Sequence, residues 1–285
     1  MSSITVLAPA KINLALDVLR RRDDGYHDLR MIMQSVSLFD EMDITFAKDG
    51  VITLASDLKR MAKGDKNIAV RAARLFFETA GLDGWGCSIY LRKIIPVCGG
   101  MGGGSADAAA VLRTFQDYFG NPLTIDEMFD MAAKLGSDVP FCLMGGTALA
   151  EGRGEILTPM SHMPDCHILV CSPRVGISTA AAFKELKVSR IKYRPDWPGM
   201  LGALDKGDIC GIAARSFNVF EDIIAPGRRD IQDIRAAIIR AGALGTVMSG
   251  TGPTMLGIFS DKNAADDAYG TLSSVHQQTF LVKPV

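Results

Sequence analysis

The stretch VCGGMGGGSADAA, from Val97 to Ala109, has five glycines in its first eight residues and runs straight into an alanine-rich helical pattern. No other feature of the chain restricts its fold as much. Glycine loses more backbone entropy on folding than any other residue, so such a cluster needs positive φ or close approach to explain it. Clustered glycines at a helix entrance can turn several N–H groups toward one point. The helix adds its own unpaired N–H groups and the positive end of its dipole. Together they form an anion cradle suited to a di- or triphosphate. The competing reading is a flexible connector or a close helix–backbone contact, and glycine packed this tightly before a good helix favours the cradle.

Two common phosphate loops do not fit. A Walker loop carries Lys and then Ser or Thr directly after its last glycine, whereas Gly104 is followed by Ser105 and Ala106. A dinucleotide fingerprint needs G-x-G-x-x-G after the first strand of a βαβ unit. Counted from Gly102 and Gly104 the third position is Asp107, and the loop lies far from the N-terminus.

With 285 residues the chain is long enough for two domains or one large one. Its 31 Lys and Arg against 32 Asp and Glu give no support to general nucleic-acid or membrane-surface binding, though a local pocket for a phosphorylated ligand stays open. The six cysteines show no C-x-x-C spacing. Cys166, His167 and Cys171 fall in an apolar strand pattern, which reads as core thiols rather than a metal site. There is no disulfide framework, and a reducing cytoplasm fits. MSSITVLAPAK lacks the form of a signal peptide, and no apolar run is long enough to span a bilayer. A soluble, cytoplasmic protein is expected, with no membrane or nucleic-acid partner.

Near the N-terminus Ile12, Leu14, Leu16 and Val18 alternate on one strand face, leaving Lys11, Asn13, Ala15 and Asp17 on the other. Asp24-Gly25 marks a turn, and MIMQSVSLF returns as a strand. Asn67 is placed to cap a helix ending at Gly81, and Thr124 with Glu127 forms a capping box for a helix ending at Gly136. Ser105 is placed to cap the helix after the glycines. Beyond the connection at Ser137 to Pro140, PFCLMGGTALA reads as a strand. The second half runs strand, helical material, a helix with Ile231, Ile234 and Ile238 on one stripe, two strands about Thr251-Gly252-Pro253, a helix near 264–272, and a last strand, QTFLVKP. That order is the split βαβ, ferredoxin-like pattern.

Three motifs in order resemble those of the GHMP kinases, named for galacto-, homoserine, mevalonate and phosphomevalonate kinases. They are Ala8-Pro9-Ala10-Lys11-Ile12-Asn13, then Pro96 with the glycines, Ser105 and Ala106, then Ser249-Gly250-Thr251-Gly252-Pro253-Thr254. PAKINLALDVLRRRDDGYHDL, DKNIAVRAARL, GSDVPF and GRGEIL resemble one branch in particular, with Asp24-Gly25-Tyr26-His27 the most telling element. The acceptor in that branch is a cytidine diphosphate derivative of methylerythritol.

The resemblance implies an α+β, two-domain GHMP kinase. An N-terminal ATP-binding half over residues 1–158 would be like domain 2 of ribosomal protein S5. A ferredoxin-like half would cover 159–285, with the substrate site in the cleft between them. The S5-like half contains a left-handed crossover, which the usual right-handed rule would have rejected. ATP is the implied phosphoryl donor, with Mg²⁺. Lys11 and Asp138 are the implied catalytic pair. Val97, Cys98, Gly99, Gly100, Met101, Gly102, Gly103, Gly104, Ser105, Ala106 and Asp107 would hold the phosphates, and Asn67 would lie near the ATP base. Asn13 would touch the acceptor. Tyr26 offers a face for cytosine and His27 a hydrogen bond to its edge, and the resemblance adds Phe183 across the base and Thr179 beside it.

Bland readings stand beside these. Asp138 before a proline is also a helix cap, Asn67 is explained by capping alone, and AAAFKEL reads equally as a core-facing helix. Lys11 without the resemblance is an exposed strand lysine. The family often has two serines after the glycines, whereas Ala106 takes the second place here and leaves Ser105 as the hydroxyl available to Mg²⁺. Thr251 stands where serine is common. The alternatives are a mevalonate- or homoserine-type kinase, or a catalytically silent sugar-nucleotide-binding regulator.

Overall fold

The chain opens with two long strands, β1 (Ile4–Arg21) and β2 (His27–Ala47), joined through the Asp24-Gly25 turn. The computed structural model describes residues 3–59, 61–62 and 64–285. Alternation along β1 predicts one apolar and one solvent face, but both faces are buried. Lys11, Asn13 and Asp17 are 4%, 0% and 1% exposed, as enclosed as Ile12 and Leu14. Packing by contacts divides the chain into two units that interleave along the sequence. The chain boundary expected at 158/159 falls inside the strand Ile156–Pro159.

The first unit holds the chain as far as Ala10, Leu38–Ile95 and Gly102–Met144. Here β3 (Ile52–Ser56), α1 (Ile68–Thr79) and β4 (Gly86–Arg92) make a parallel crossover, and β4 pairs antiparallel with Glu41–Ala47 of β2. Asn67 caps α1 as expected, its side chain accepting from the Ala69 amide. Then come α2 (Gly103–Tyr118) and α3 (Ile125–Leu135), the latter opened by the Thr124–Glu127 capping box and closed at Gly136. Phe76, Phe77 and Phe115 interlock as the aromatic centre of this unit. The next segment departs from expectation: Val139–Met144 is a helix, α4, not the start of a strand. Pro140 sits in its first turn, where a missing N–H costs nothing. Gly145 and Gly146, at φ +75° and +70°, end it.

The second unit holds Lys11–Ser37, Pro96–Met101 and Gly145–Val285. Its β5 (Thr147–Gly152) pairs with Leu29–Gln34 of β2, and β6 (Ile156–Pro159) pairs with β5. After β7 (His167–Ser172) come α5 (Thr179–Glu185), α6 (Trp197–Asp205), α7 (Ile209–Arg215), the two-residue β8 (Phe217–Asn218), α8 (Glu221–Ile224) and α9 (Arg229–Arg240). The chain closes with β9 (Gly245–Met248), β10 (Met255–Phe259), α10 (Lys262–Ser273) and β11 (Gln278–Val282). The sheet order β11-β7-β10-β9, antiparallel throughout, is the ferredoxin-like arrangement. Ile231, Ile234 and Ile238 of α9 are fully buried, each stabilising by about 1.5–3 kcal/mol. All six cysteines are free thiols, and burial pushes Cys166 and Cys171 up to about 12 and about 11, as core thiols. No helix among the described residues is long and apolar enough to cross a membrane.

A buried ion cluster ties α2 to β4 within the first unit. The Lys93 ammonium, just past β4, donates to Asp40 and, at 2.8 Å, to Asp107 in α2. Asp40 also accepts the Ile94 and Ile95 amides, at 2.6 and 2.9 Å. Burial opposes the charge on Lys93, yet the two carboxylates outweigh it and raise its pKa. Asp107 has one oxygen buried without a hydrogen-bond partner, and burial pushes its carboxyl up to about 7 despite Lys93.

Lys93→Met would leave both carboxylates without their counter-charge, at a cost of about 3–5 kcal/mol in urea unfolding at pH 8. The loss should shrink at pH 5, where Asp107 carries a proton. In the native protein Asp107 keeps its proton to about pH 7, whereas in the unfolded chain it loses it near pH 4. Its contribution is therefore full below about pH 4 and is lost as pH rises through 7. Asp107→Asn should flatten that limb of the stability curve, and equal pH slopes in the two proteins would overturn the assignment.

Candidate active site

Lys11 and Asn13 of the first motif meet the front of the glycine loop in the second unit. The Lys11 ammonium donates to Asn13 Oδ1 at 2.8 Å, and the Lys11 amide donates to the Met101 carbonyl at 3.1 Å. A lysine 4% exposed with its ammonium held on a neighbouring amide is no ordinary strand lysine, so the bland reading of Lys11 fails. The third motif joins them. Ser249 Oγ accepts the Asn13 amide at 3.3 Å and donates to the Gly100 carbonyl at 2.9 Å. A Cβ on Gly100, which has φ +78°, would stand 2.2 Å from the Ser249 carbonyl oxygen. Gly100 is glycine because another motif's backbone occupies the space of a side chain. Cys98 also takes positive φ, +56°, and its carbonyl accepts the Ile177 amide.

The rear of the glycine run lies in the first unit and works differently. Gly102 is the N-cap of α2, left-handed at φ +65°, with no side-chain cap bond. The expectation that Ser105 caps this helix is therefore corrected: the cap lies three residues earlier, at Gly102, and Ser105 falls in the first turn. The left-handed φ at residue 102, which glycine takes without steric cost, lets the chain enter the helix without a capping side chain. The amides of Gly103, Gly104 and Ser105 precede the first intrahelical bond, from Ala106 N to Gly102 O, so they stay open to an anion. Ile68, next to the cap residue Asn67, packs on this turn. Its side chain would lie 3.4 Å from a Cβ on Gly104 and 3.6 Å from one on Gly136. Asn67, the α2 entrance and the turn before Asp138 are thus gathered around one isoleucine. Asp138 is half-buried and precedes α4, its carbonyl accepting the Cys142 amide at 3.0 Å. The Asp107 side chain is taken up by Lys93.

The residues expected at the cytosine cluster in the second unit. His27 and Phe183 stack directly on one another, with centroids 5.1 Å apart at 27°, and Phe183 meets Phe220 edge-on. A base needs about 7 Å between two ring faces, twice a stacking distance, so His27 and Phe183 leave no slot between them. Tyr26, 56% exposed, has the Arg153 guanidinium 5.2 Å from its ring centroid. Burial, with Arg21 nearby, lowers the His27 pKa and keeps its imidazole neutral, with one N–H to donate and one lone pair to accept. Thr179 Oγ1 lies 3.2 Å from Thr251 Oγ1. That contact brings the third motif to the start of α5.

Sequence reasoning missed Arg153, Lys93 and the brace at Ser249. GRGEIL signalled Arg153, but nothing local joins residue 153 to residue 26. The Lys93 partners stand 53 and 14 residues away.

Comparison with known proteins agrees with this geometry. The family model described as GHMP kinases N terminal domain matches residues 67–146, and that described as GHMP kinases C terminal matches 200–277. The chain is 40% identical to the 4-diphosphocytidyl-2-C-methyl-D-erythritol kinase of Acetivibrio thermocellus, over 100% of both chains. It is 38% identical to that of Alkaliphilus metalliredigens, over 99% of this chain and 97% of the relative. A crystal structure of 4-(cytidine 5'-diphospho)-2C-methyl-D-erythritol kinase superposes with a TM-score of 0.84 at 31% identity, covering 99% of each chain. By full-length identity and by fold, the chain belongs to the GHMP kinases and, within them, to the family of 4-diphosphocytidyl-2-C-methyl-D-erythritol kinases.

Proposed function

We propose that this chain transfers the γ-phosphoryl group of ATP to the 2-hydroxyl of 4-diphosphocytidyl-2-C-methyl-D-erythritol, within the non-mevalonate route to isoprenoid precursors. The observation that carries the reading is full-length identity of 38–40% to kinases named for that substrate. The reaction would run in the reducing cytoplasm, with residues 1–158 as the ATP half and 159–285 as the ferredoxin-like half. The chain's own residues suit the chemistry. The open amides at Gly103 to Ser105 donate to phosphate oxygens, and the resemblance gives the backbone of residues 97 to 101 the same role. Asn67 lies toward the ATP base.

The acceptor hydroxyl oxygen forms a bond to the γ-phosphorus as the bridge from the β-phosphate oxygen breaks, and ADP leaves. Asp138 takes the hydroxyl proton. Lys11 balances the charge beside the reacting oxygens, and Asn13 fixes both Lys11 and the acceptor. The transition state of phosphoryl transfer is loose, so orientation counts for more than base strength. Mg²⁺ would travel with the phosphates and neutralise their charge. The Ser105 hydroxyl, a hard oxygen in the first turn of α2, is the protein group fit to hold it there. Tyr26 stacks on the cytosine, backed by Arg153, while neutral His27 meets the base edge. Phe183 and Thr179 flank the same end.

Asp138→Asn should lower turnover by roughly 10²–10⁴-fold. It is read as ADP release with ATP, Mg²⁺ and the cytidylyl substrate, with mevalonate as control acceptor. Turnover of mevalonate but not of the cytidylyl compound by wild type would sink the substrate assignment. Tyr26→Leu should raise KM for the cytidylyl substrate by about 5- to 100-fold, the loss of one base–aromatic stack, with KM for ATP within about twofold. Equal rises in both constants would remove Tyr26 from the cytosine site.

A further inference from the structure

Three motifs are tied at Ser249, and Ser249 itself must be held. The hairpin that carries it, between β9 and β10, makes a polar turn in the core of the second unit: Ser249 and Thr254 are fully buried and Thr251 is 6% exposed. Two side chains outside the three motifs hold this turn. Asn218, 2% exposed in β8, donates through Nδ2 to the Met248 carbonyl at 2.6 Å and to the Gly250 carbonyl at 2.7 Å. Its Oδ1 accepts the Phe220 amide at 2.9 Å, so the amide group's orientation is set from both ends. Glu221 accepts the Met248 amide at 2.8 Å on one oxygen and pairs with Arg235 at 3.0 Å on the other. Burial raises the Glu221 pKa against those partners.

We propose that Asn218, seconded by Glu221, is a positioning residue for phosphoryl transfer. It clamps the carbonyls on either side of Ser249, fixing the hydroxyl that bridges the Asn13 amide and the Gly100 carbonyl. The path is continuous and lies wholly in the second unit: Asn218 to Met248 and Gly250, Ser249 to Gly100 and Asn13, Asn13 to the Lys11 ammonium. No surface residue takes part, and the hydrogen bonds of the path span 2.6 to 3.3 Å. β8 itself has only two residues, paired parallel to β1 at Ala15 and Leu16. So short a strand contributes little to the sheet. What it does is place one amide group under the hairpin. A displacement of about 1 Å at a reacting group can cost about 10²-fold in rate, and releasing this clamp frees Ser249 to move by that order. The proposal rests on the reading of Lys11 and the glycine loop as parts of the kinase site.

The test is steady-state kinetics on the full chain with ATP, Mg²⁺ and the cytidylyl substrate, alongside thermal unfolding. Asn218→Ala and Ser249→Ala should each lower kcat by about 10- to 100-fold, with KM for the cytidylyl substrate changed less than threefold. Their double variant should fall no more than about twofold beyond the worse single, because both break one path. Ile238→Ala, in the core of the same unit and outside the path, controls for instability: it should lower Tm while leaving kcat per folded enzyme within about twofold. Asn218→Ser, which keeps a short donor, should recover part of kcat. The proposal is overturned by unchanged kcat in Asn218→Ala, by losses that multiply in the double variant, or by an equal kcat loss in Ile238→Ala. Should Asn218→Ala not fold, Ser249→Ala and Glu221→Gln carry the cycle. Lys11→Ala separates the premise: full activity there refutes the site reading whatever Asn218 does.

Discussion

One hydroxyl connects the parts of this chain that sequence alone leaves far apart. Ser249 Oγ takes the Asn13 amide and gives its own proton to the Gly100 carbonyl, so a single buried group serves residues 13, 100 and 249 at once. A buried amide or carbonyl left without a partner costs about 1–3 kcal/mol. Removing the hydroxyl would orphan two backbone groups together, so the three segments are energetically bound to one arrangement. The glycine at residue 100 belongs to the same arrangement, since a side chain there would displace the serine's own carbonyl.

The polar face of β1 is the other half of that constraint. Burying Lys11, Asn13 and Asp17 on one strand is unfavourable unless each finds a partner. Lys11 meets Asn13, Asn13 presents its amide to Ser249, and Asp17 pairs with Arg194 at 2.5 Å. A strand with one apolar face would fold as well with serine or threonine at these places. The charged residues are tolerated because each is paired, Lys11 within its own strand and Asp17 with a distant arginine. Enclosure removes the water that would otherwise screen the ammonium, which is the environment in which a lysine can act on a phosphoryl group.

Much of this was legible in the residues. The helix of Ile231, Ile234 and Ile238, the capping box at Thr124, the cap at Asn67 and the ferredoxin-like strand order all follow from local periodicity and turn chemistry, and each is seen. What stayed hidden depends on contacts between distant segments. Alternation alone would have left Lys11 on a solvent face. Ser105 read as a cap because serine is a good one, but Gly102 enters α2 through a φ that only glycine takes freely. Pro140–Met144 reads as the start of a strand because five apolar residues have no clear period, and Pro140 is also the sign of a first helical turn. β8 has two residues, too few for any pattern.

The glycine run shows why a motif and its mechanism need separate arguments. As a cradle, its glycines would all exist to present amides. In the structure Gly100 yields space to a neighbouring carbonyl and Gly102 opens the helix, and Gly103 sits where a Cβ would stand 3.1 Å from both the Lys93 ammonium and Ile95. Close approach, the competing reading of the cluster, is thus correct for residues that the cradle also needs. The two do not conflict. Packing crowds Gly99, Gly100 and Gly103 from behind, and a fixed backbone is what would aim the open amides at the entrance of α2. Phosphoryl transfer draws most of its acceleration from groups already in place when the charge shifts. Under the proposed function, loop rigidity is thereby part of the chemistry, and glycine supplies it here through contact, against its usual association with flexibility.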